Sequence, residues 1–468
     1  MRRWGVAAFV AASLVGGVLL PAVPAGAVHG AVPGDFNGDG YRDAVLPAPG
    51  ANVSGKEGAG AVVVLYGSAS GLSTSRRKTI TQNTPGVPGV SETGDAFGAA
   101  TATADVNRDG YADLVVGTPD EDGSRGTDSG AVTVLWGSRS GLTSGTDLPS
   151  PLSWTHRYGE DVAALGLGAG WHTRVAVSAM DSTVYFTGPF TRSGTFGSAV
   201  DNEGTLSPLS VALGDFDGDT APDLASATFR GSALTGGNIY VNPWHDNELR
   251  GNGLIVAAGD VNGDGFTDLV AGDPDEPEKA GVDGAPGGRV LLWYGSKKGI
   301  ATDAEPVQIT QNTAGVPGAS EKYDGFGTSV TVADLNRDGR ADIVVGSPFE
   351  DLARNRAGQV TVIPGRSSGA LGTGSYSFSQ DTAGVPGASE TDDFFGTTVS
   401  VGDIDKDGRP ELFVGAAGEN NSTGAVWVFP GGSTRPTATG SRVITPNAVG
   451  LTQQWGTLLG GDGLLSVV

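Results

Sequence analysis

The sequence predicts an all-β protein built from repeats, and three observations carry that reading. A nine-residue acidic loop of the form Asp-x-Asn/Asp-x-Asp-x-x-x-Asp/Glu recurs six times, each copy followed by a short apolar run. Glycine is abundant, at 78 residues, with no collagen period. It alternates with runs of Val, Ile and Leu, the pattern of short strands joined by tight turns. No segment sustains the helical periodicity of a bundle.

The loops place oxygen side chains at positions 1, 3, 5 and 9. In chain order these are Asp35, Asn37, Asp39 and Asp43; Asp105, Asn107, Asp109 and Asp113; Asp215, Asp217, Asp219 and Asp223; Asp260, Asn262, Asp264 and Asp268; Asp334, Asn336, Asp338 and Asp342; Asp403, Asp405, Asp407 and Glu411. Several oxygens, more than one carboxylate and a sharp turn are what a hard cation of calcium size requires. About six Ca²⁺ sites are therefore expected, with the position-7 carbonyl adding a ligand and stability rather than catalysis as their role. Position 2 is always apolar (Phe36, Val106, Phe216, Val261, Leu335, Ile404), as expected of a residue anchoring the loop in a core. Glycine at position 6 permits the turn, except that Thr220 stands there in the third loop. The plainer reading is a set of Asp/Asn turns without metal.

Residues 1–27 read as an export signal: Arg2 and Arg3, an apolar stretch over 4–20, and a cleavage site at Ala25-Gly26-Ala27. The mature chain is expected to begin at Val28 and to be secreted, free or held at the cell surface. Thereafter a unit repeats: Phe-Gly, strand, acidic loop, strand, longer polar loop, strand, and a more variable fourth strand. Phe97-Gly98, Phe326-Gly327 and Phe395-Gly396 open the clearest copies, and Gly117-Thr118-Pro119 and Gly346-Ser347-Pro348 close second strands.

These motifs in combination resemble the FG-GAP repeat family, which includes the N-terminal domain of integrin alpha chains. The resemblance covers essentially everything after the export signal. It implies a β-propeller with calcium in the hairpin loops between the first two strands of most blades. Six loops mark six blades, and the interval from Asp105 to Asp215 is long enough to hide a seventh. There Tyr158-Gly159 stands for Phe-Gly, and the ligand positions become Gly166, Gly168, Gly170 and Arg174, so this blade is expected to bind no metal, with Arg174 replacing the ion's charge. The expected fold is a seven-bladed β-propeller with calcium loops in six blades, the blades lying near 28–82, 97–156, 158–200, 205–243, 252–311, 326–380 and 395–446. Residues 447–468 are expected to close the ring or begin a partial blade, with Trp455-Gly456 as a further Phe-Gly start and a strand over 464–468.

A formal net charge of −23 argues against nucleic acid and anionic membranes as partners, since both require a basic surface. Cysteine is absent, so an exported chain has no disulfides and metal loops take over part of that role. Arg over Lys, with much Ala and Gly, fits a GC-rich bacterial genome. The four histidines (His29, His156, His172, His245) show no zinc spacing, and there is no nucleophile-elbow motif. Two further features invite a binding role. The connectors over 84–92, 313–321 and 382–390 share a Gly-Val-Pro-Gly core and end in Glu92, Glu321 and Glu390. Such connectors either present ligands or simply fix the crossover. The segment 240–250, with Trp244, His245, Asp246 and Glu248, is polar and aromatic, suited to a sugar or to a capped loop. Trp136, Trp293 and Trp427 fall in third strands and are read as blade packing.

The reading is a secreted, calcium-binding propeller, expected as a monomer, acting in recognition or adhesion toward an extracellular protein or glycan. No inserted adhesion domain, leg or membrane span is expected, so integrin-like signalling is not implied. The alternative is an enzyme acting on an extracellular polysaccharide from the propeller face, as lyase or hydrolase; no catalytic residue is assigned.

Overall fold

The computed structural model describes residues 32–464 apart from 154, 169–171, 181, 204–207, 230–235, 243–246 and 278–281. The export signal, His29, Gly170, Trp244, His245, Asp246 and residues 465–468 lie outside the described residues. Among those described, no helix is long and apolar enough to cross a membrane.

The chain forms seven four-stranded antiparallel sheets, each made from four consecutive strands. The first strands are Val32–Gly34, Ala100–Ala104, Val162–Leu167, Pro208–Gly214, Ile255–Gly259, Ser329–Ala333 and Phe395–Gly402. The fourth strands are Arg77–Ile80, Ser144–Asp147, Ser198–Glu203, Glu248–Gly253, Val307–Ile309, Tyr376–Phe378 and Arg442–Ile444. The all-β, seven-bladed propeller expected from the repeats is thus the observed architecture.

Second strands such as Asp113–Thr118 and Asp342–Ser347 are buried along their whole length, because each sheet is covered on both faces by its neighbours. The hydrophobic clusters show this directly. One joins blades 1 and 2 (Val45, Val62, Phe97, Leu114), another blades 6 and 7 (Val344, Val360, Phe395, Val414), and another blades 7 and 1 (Phe413, Val426, Ala44, Leu46). The last makes the ring closed. Trp136, Trp293 and Trp427 are 2, 1 and 1% exposed in third strands, as blade packing requires.

Phe-Gly is a latch between blades. Phe97 donates its N–H to Ala59 O of the preceding blade at 3.1 Å, and Gly98 donates to Gly117 O of its own blade at 3.0 Å. A Cβ on Gly60 would come within 2.3 Å of Phe97 N, so glycine is required on the receiving side. Tyr158-Gly159 repeats the arrangement against Gly130.

The C-terminal tail supplies the latch for blade 1, but not where the aromatic pattern points. Leu459 donates to Thr423 O of blade 7 at 3.0 Å, Gly460 donates to Pro47 O of blade 1 at 2.8 Å, and Gly424 faces Leu459 N at 2.5 Å from its ideal Cβ. Trp455, in the expected Trp455-Gly456 start, is 77% exposed. The latch depends on the backbone and on a buried side chain, and Leu459, 0% exposed, meets both needs. The segment 240–250 is no separate insertion either: Gly237–Val241 and Glu248–Gly253 are the outer strands of blade 4, with 243–246 between them.

Candidate metal centres and a pocket on the connector face

Strands alternate in direction within a blade. The loops between first and second strands therefore emerge on one face of the ring, and the loops between second and third strands emerge on the other, with the connectors to the next blade. The acidic loops occupy the first face.

All six loops share one hydrogen-bond scheme. The position-1 carboxylate accepts the N–H of position 6 (Gly40, Gly110, Thr220, Gly265, Gly339, Gly408) at 2.8–3.1 Å. The position-3 Oδ1 accepts the N–H of position 5 at 2.8–3.1 Å. The position-9 carboxylate accepts the N–H of the apolar position 2 at 2.8–3.1 Å. Position 2 is in turn buried to 0 or 1% exposure in every loop, which holds the loop to the core. Thr220 takes φ +69°, short of the +78° to +92° of the position-6 glycines but in the same left-handed region, so the third loop keeps the shared hydrogen bonds at the cost of a β-branched residue there.

The residues fit a hard cation. The carboxylate oxygens of Asp215, Asp217 and Asp223 lie within 4.8 Å of one another, as do those of Asp403, Asp405 and Glu411. Asp215 Oδ1 and Asp403 Oδ1 are buried without a hydrogen-bond partner. The other four loops carry Asn at position 3, which contributes an amide oxygen in place of one carboxylate. Burial, reinforced by the acidic neighbours, pushes Asp43, Asp113, Asp268, Asp342 and Glu411 up to about 7, and Asp223 to about 6. Backbone donors only partly oppose this, and a bound cation would supply the missing charge.

At the silent loop of blade 3 the compensating cation comes from a neighbour. Arg108, at position 4 of the blade 2 loop, donates to Leu167 O at 2.8 Å, Gly168 O at 3.1 Å and Thr173 Oγ1 at 3.2 Å. Arg174, expected from the sequence to take this role, instead lies over the Tyr185 ring at 5.8 Å. It lies within the second strand of blade 3, His172–Ala179, paired with Leu165 and Thr187.

The opposite face holds a cavity of about 790 Å³ between blades 5, 6 and 7. The loops after the second strands of blades 5 and 6 and the connectors that follow those blades form its walls. Asp275, Glu276, Glu321, Asp324 and Asp351 outnumber Lys322 and Arg356 there, so it is acidic. Tyr323 stands 73% exposed at its rim with Lys322 Nζ 5.7 Å from its ring centroid. Arg356 lies 5.5 Å from the Phe394 ring and pairs with Asp392 at 2.6 Å. Of the connector glutamates, only Glu321 reaches this cavity. Sequence reasoning missed the pocket because it joins segments far apart in the chain.

The connectors also bear acid–amide pairs with buried glutamines that were not anticipated. Gln82, Gln311 and Gln380, each just after a fourth strand, donate from Nε2 to Glu121, Glu350 and Glu419 of the next blade at 2.6, 2.6 and 2.7 Å. The separation is 39 residues in all three, the one sequence signal that marks them.

The FG-GAP repeat family matches residues 27–65, 97–135, 252–293, 326–363 and 395–429, which fall in blades 1, 2, 5, 6 and 7. Integrin alpha-5 of Xenopus laevis is 30% identical over 278 residues, covering 55% of this chain and 24% of its own length. Integrin alpha-8 of Gallus gallus is 32% identical and human integrin alpha-IIb 33% identical, each over 225 residues, 45% of this chain and 20% of theirs. The aligned part thus spans a quarter or less of those relatives. Among solved structures, an exotype rhamnogalacturonan lyase aligns at TM-score 0.40 and 13% identity, covering 86% of this chain and 74% of its own. A rhamnogalacturonan lyase from Bacillus licheniformis aligns at 0.41 and 13%, covering 85% and 70%.

Proposed function

Since the chain is an FG-GAP repeat β-propeller similar to the N-terminal part of integrin alpha chains, we propose that it acts outside the cell as a calcium-stabilised recognition or adhesion module. The observation that carries this is the separation of tasks between the two faces. The acidic loops fill one face with protein oxygens suited to a cation. The cavity of about 790 Å³ on the other face leaves an exposed Tyr323 and an acidic wall for a partner. The acidic excess selects a partner offering a cationic group, and the tyrosine offers a flat apolar surface to a side chain or a sugar ring.

In this reading six calcium ions, one per acidic loop, hold the hairpins of blades 1, 2, 4, 5, 6 and 7. Arg108 covers the loop of blade 3. The ligands are the residues at positions 1, 3, 5 and 9 of each loop. Export follows from the signal at residues 1–27, and the absence of cysteine leaves metal and blade packing to stabilise the exported chain.

The test is an array of glycans, polysaccharides and basic peptides probed with the mature chain from Val28, in millimolar calcium and then in chelator, with product release followed in the same wells. Calcium-dependent retention without products, lost on Tyr323→Ala, is the expected result. Product release would replace the module with an enzyme, and binding that ignores both Tyr323 and the acidic wall would move the site elsewhere.

A further inference from the structure

Three crossovers share an arrangement that the acidic loops do not use, and one of the three borders the recognition cavity. Gln82, Gln311 and Gln380 are 5, 1 and 2% exposed. Each Nε2 is bonded to a glutamate of the next blade, and each Oε1 is buried without a partner. Oε1 belongs to the same amide as Nε2, so rotation of that amide presents the unsatisfied oxygen on the carboxylate side. Next to each pair is an aspartate, Asp95, Asp324 or Asp393, 2 or 3% exposed. It accepts the N–H of Glu92, Glu321 or Glu390 at 2.5–2.6 Å. Ser91, Ser320 and Ser389 of the same crossovers each carry a buried Oγ that also lacks a partner.

A single unsatisfied buried oxygen is a minor irregularity. The same two, three times over, at equivalent points of a repeat, are a designed feature, since each costs free energy unless something fills its hydrogen-bonding capacity. The chemistry available at each crossover is all oxygen: an amide carbonyl, two largely buried carboxylates, a third at the surface, and a hydroxyl nearby in the chain. Such a set suits a hard divalent cation and no soft one. A water molecule would satisfy the amide oxygen but would leave like charges facing one another.

We propose that the crossovers after blades 1, 5 and 6 are a second class of divalent-cation site, of calcium type, ligated by the Gln Oε1 together with the Glu121, Glu350 or Glu419 carboxylate and the Asp95, Asp324 or Asp393 carboxylate. Among the described residues the sets of three carboxylates within 4.8 Å of one another are those of two acidic loops, so each crossover site relies on the amide oxygen beside its two carboxylates. The ion then joins the end of one blade to the second-strand loop of the next, which ties blade to blade where the acidic loops tie hairpins within a blade. The crossover after blade 5 borders the acidic cavity, so its ion also adjusts the charge that a partner meets there.

The inference does not depend on the acidic loops being occupied. Crystals of the mature chain exchanged into terbium give anomalous difference peaks that locate each ion. Peaks beside Gln82, Gln311 and Gln380 are expected, and peaks confined to the acidic loops, or none at all, would overturn the inference. Peaks at the crossovers alone would uphold it while removing the six-loop reading. In solution, the combined variant Gln82→Met, Gln311→Met and Gln380→Met should bind three fewer terbium ions by direct titration with an unchanged far-ultraviolet spectrum. Retention of the full number by a folded variant would also overturn it, and if that variant does not fold, the wild-type crystals decide.

Discussion

Gly460 donates its N–H to Pro47 O at 2.8 Å, and this bond joins the two ends of the described chain. Gly98 to Gly117 and Gly327 to Gly346 are the same bond made within one blade. The first strand of blade 1, Val32–Gly34, is only three residues long, and the tail completes what it lacks. Leu459, fully buried in the cluster that joins blades 7 and 1, is the side chain on which this closure rests. Leu459→Ala should lower the unfolding free energy by about 2–5 kcal/mol in urea titrations. Trp455→Ala, at a 77% exposed position, should stay within about 0.5 kcal/mol. Equal effects would mean that the tail does not close the ring.

Calcium should stabilise the fold in steps. With a dissociation constant of ~0.1 mM and ~1 mM free calcium, each loop contributes about 1.4 kcal/mol. Calorimetry in chelator should therefore show a large drop in melting temperature. Asp403→Ala should remove one step, together with the acceptor of the Gly408 N–H. A melting temperature indifferent to chelator would leave the loops as plain turns.

Thr220 is strained at φ +69° where the other five loops have glycine. The left-handed conformation costs a β-branched residue about 1–3 kcal/mol, and glycine returns roughly 0.5–1 kcal/mol of that as unfolded-chain entropy. Thr220→Gly should thus be neutral to stabilising by up to about 2 kcal/mol in thermal unfolding. Gly265→Thr, the reverse change in blade 5, should destabilise. A loss of stability in Thr220→Gly would show that the threonine side chain makes a contact worth more than the strain.

The acidic loops were legible in the sequence because their whole hydrogen-bond scheme lies within nine consecutive residues. Blade number was legible for a related reason: the loop and the apolar run after it recur in fixed order, Phe-Gly opens blades 2, 6 and 7, and the blade without ligands kept Tyr158-Gly159. What escaped were contacts between distant segments. Trp455-Gly456 has the look of the latch, yet the latch requires a buried residue whose backbone faces Gly424, and only packing selects Leu459. Arg174 has the right position in the silent loop, but its strand turns it toward Tyr185, while Arg108 arrives from the preceding blade. The Gln–Glu pairs and the cavity likewise need two blades side by side before they exist.

In chelator, stability should rise as pH falls through the neutral range. Burial, with neighbouring carboxylates adding to it, pushes Glu121, Glu350 and Glu419 up to about 7. An unfolded glutamate titrates near ~4.3, so the folded chain binds these protons more tightly. The resulting stabilisation is fully present below ~4.3 and is lost as pH rises through ~7. The position-9 acids of the loops act in the same direction, and so does relief of the net charge of −23. Melting temperatures in chelator should therefore climb from about pH 8 to about pH 5, and excess calcium, which binds the ionised carboxylates, should flatten or reverse the trend. Glu121→Gln with Glu350→Gln and Glu419→Gln should reduce the slope. A chelated protein that loses stability steadily over that range would contradict the burial of these acids.

Tyr323 and Glu276 separate the cavity from the fold. Tyr323 is 73% exposed, so Tyr323→Ala should leave the melting temperature within about 1 °C while weakening partner binding. Aromatic anchors at the edge of a pocket commonly account for about 1–2 kcal/mol, which corresponds to a roughly tenfold loss of affinity. Glu276, whose carboxylate lies 3.7 Å from Lys322 Nζ, contributes charge rather than surface. Glu276→Lys should slow association with a basic partner and leave dissociation nearly unchanged, and raised salt should erase the difference between the two proteins, because steering acts over the screening length. Surface plasmon resonance with the partner identified on the array separates these effects. If Glu276→Lys alters dissociation alone, the acidic wall makes close contact with the partner, and its role is binding rather than attraction at a distance.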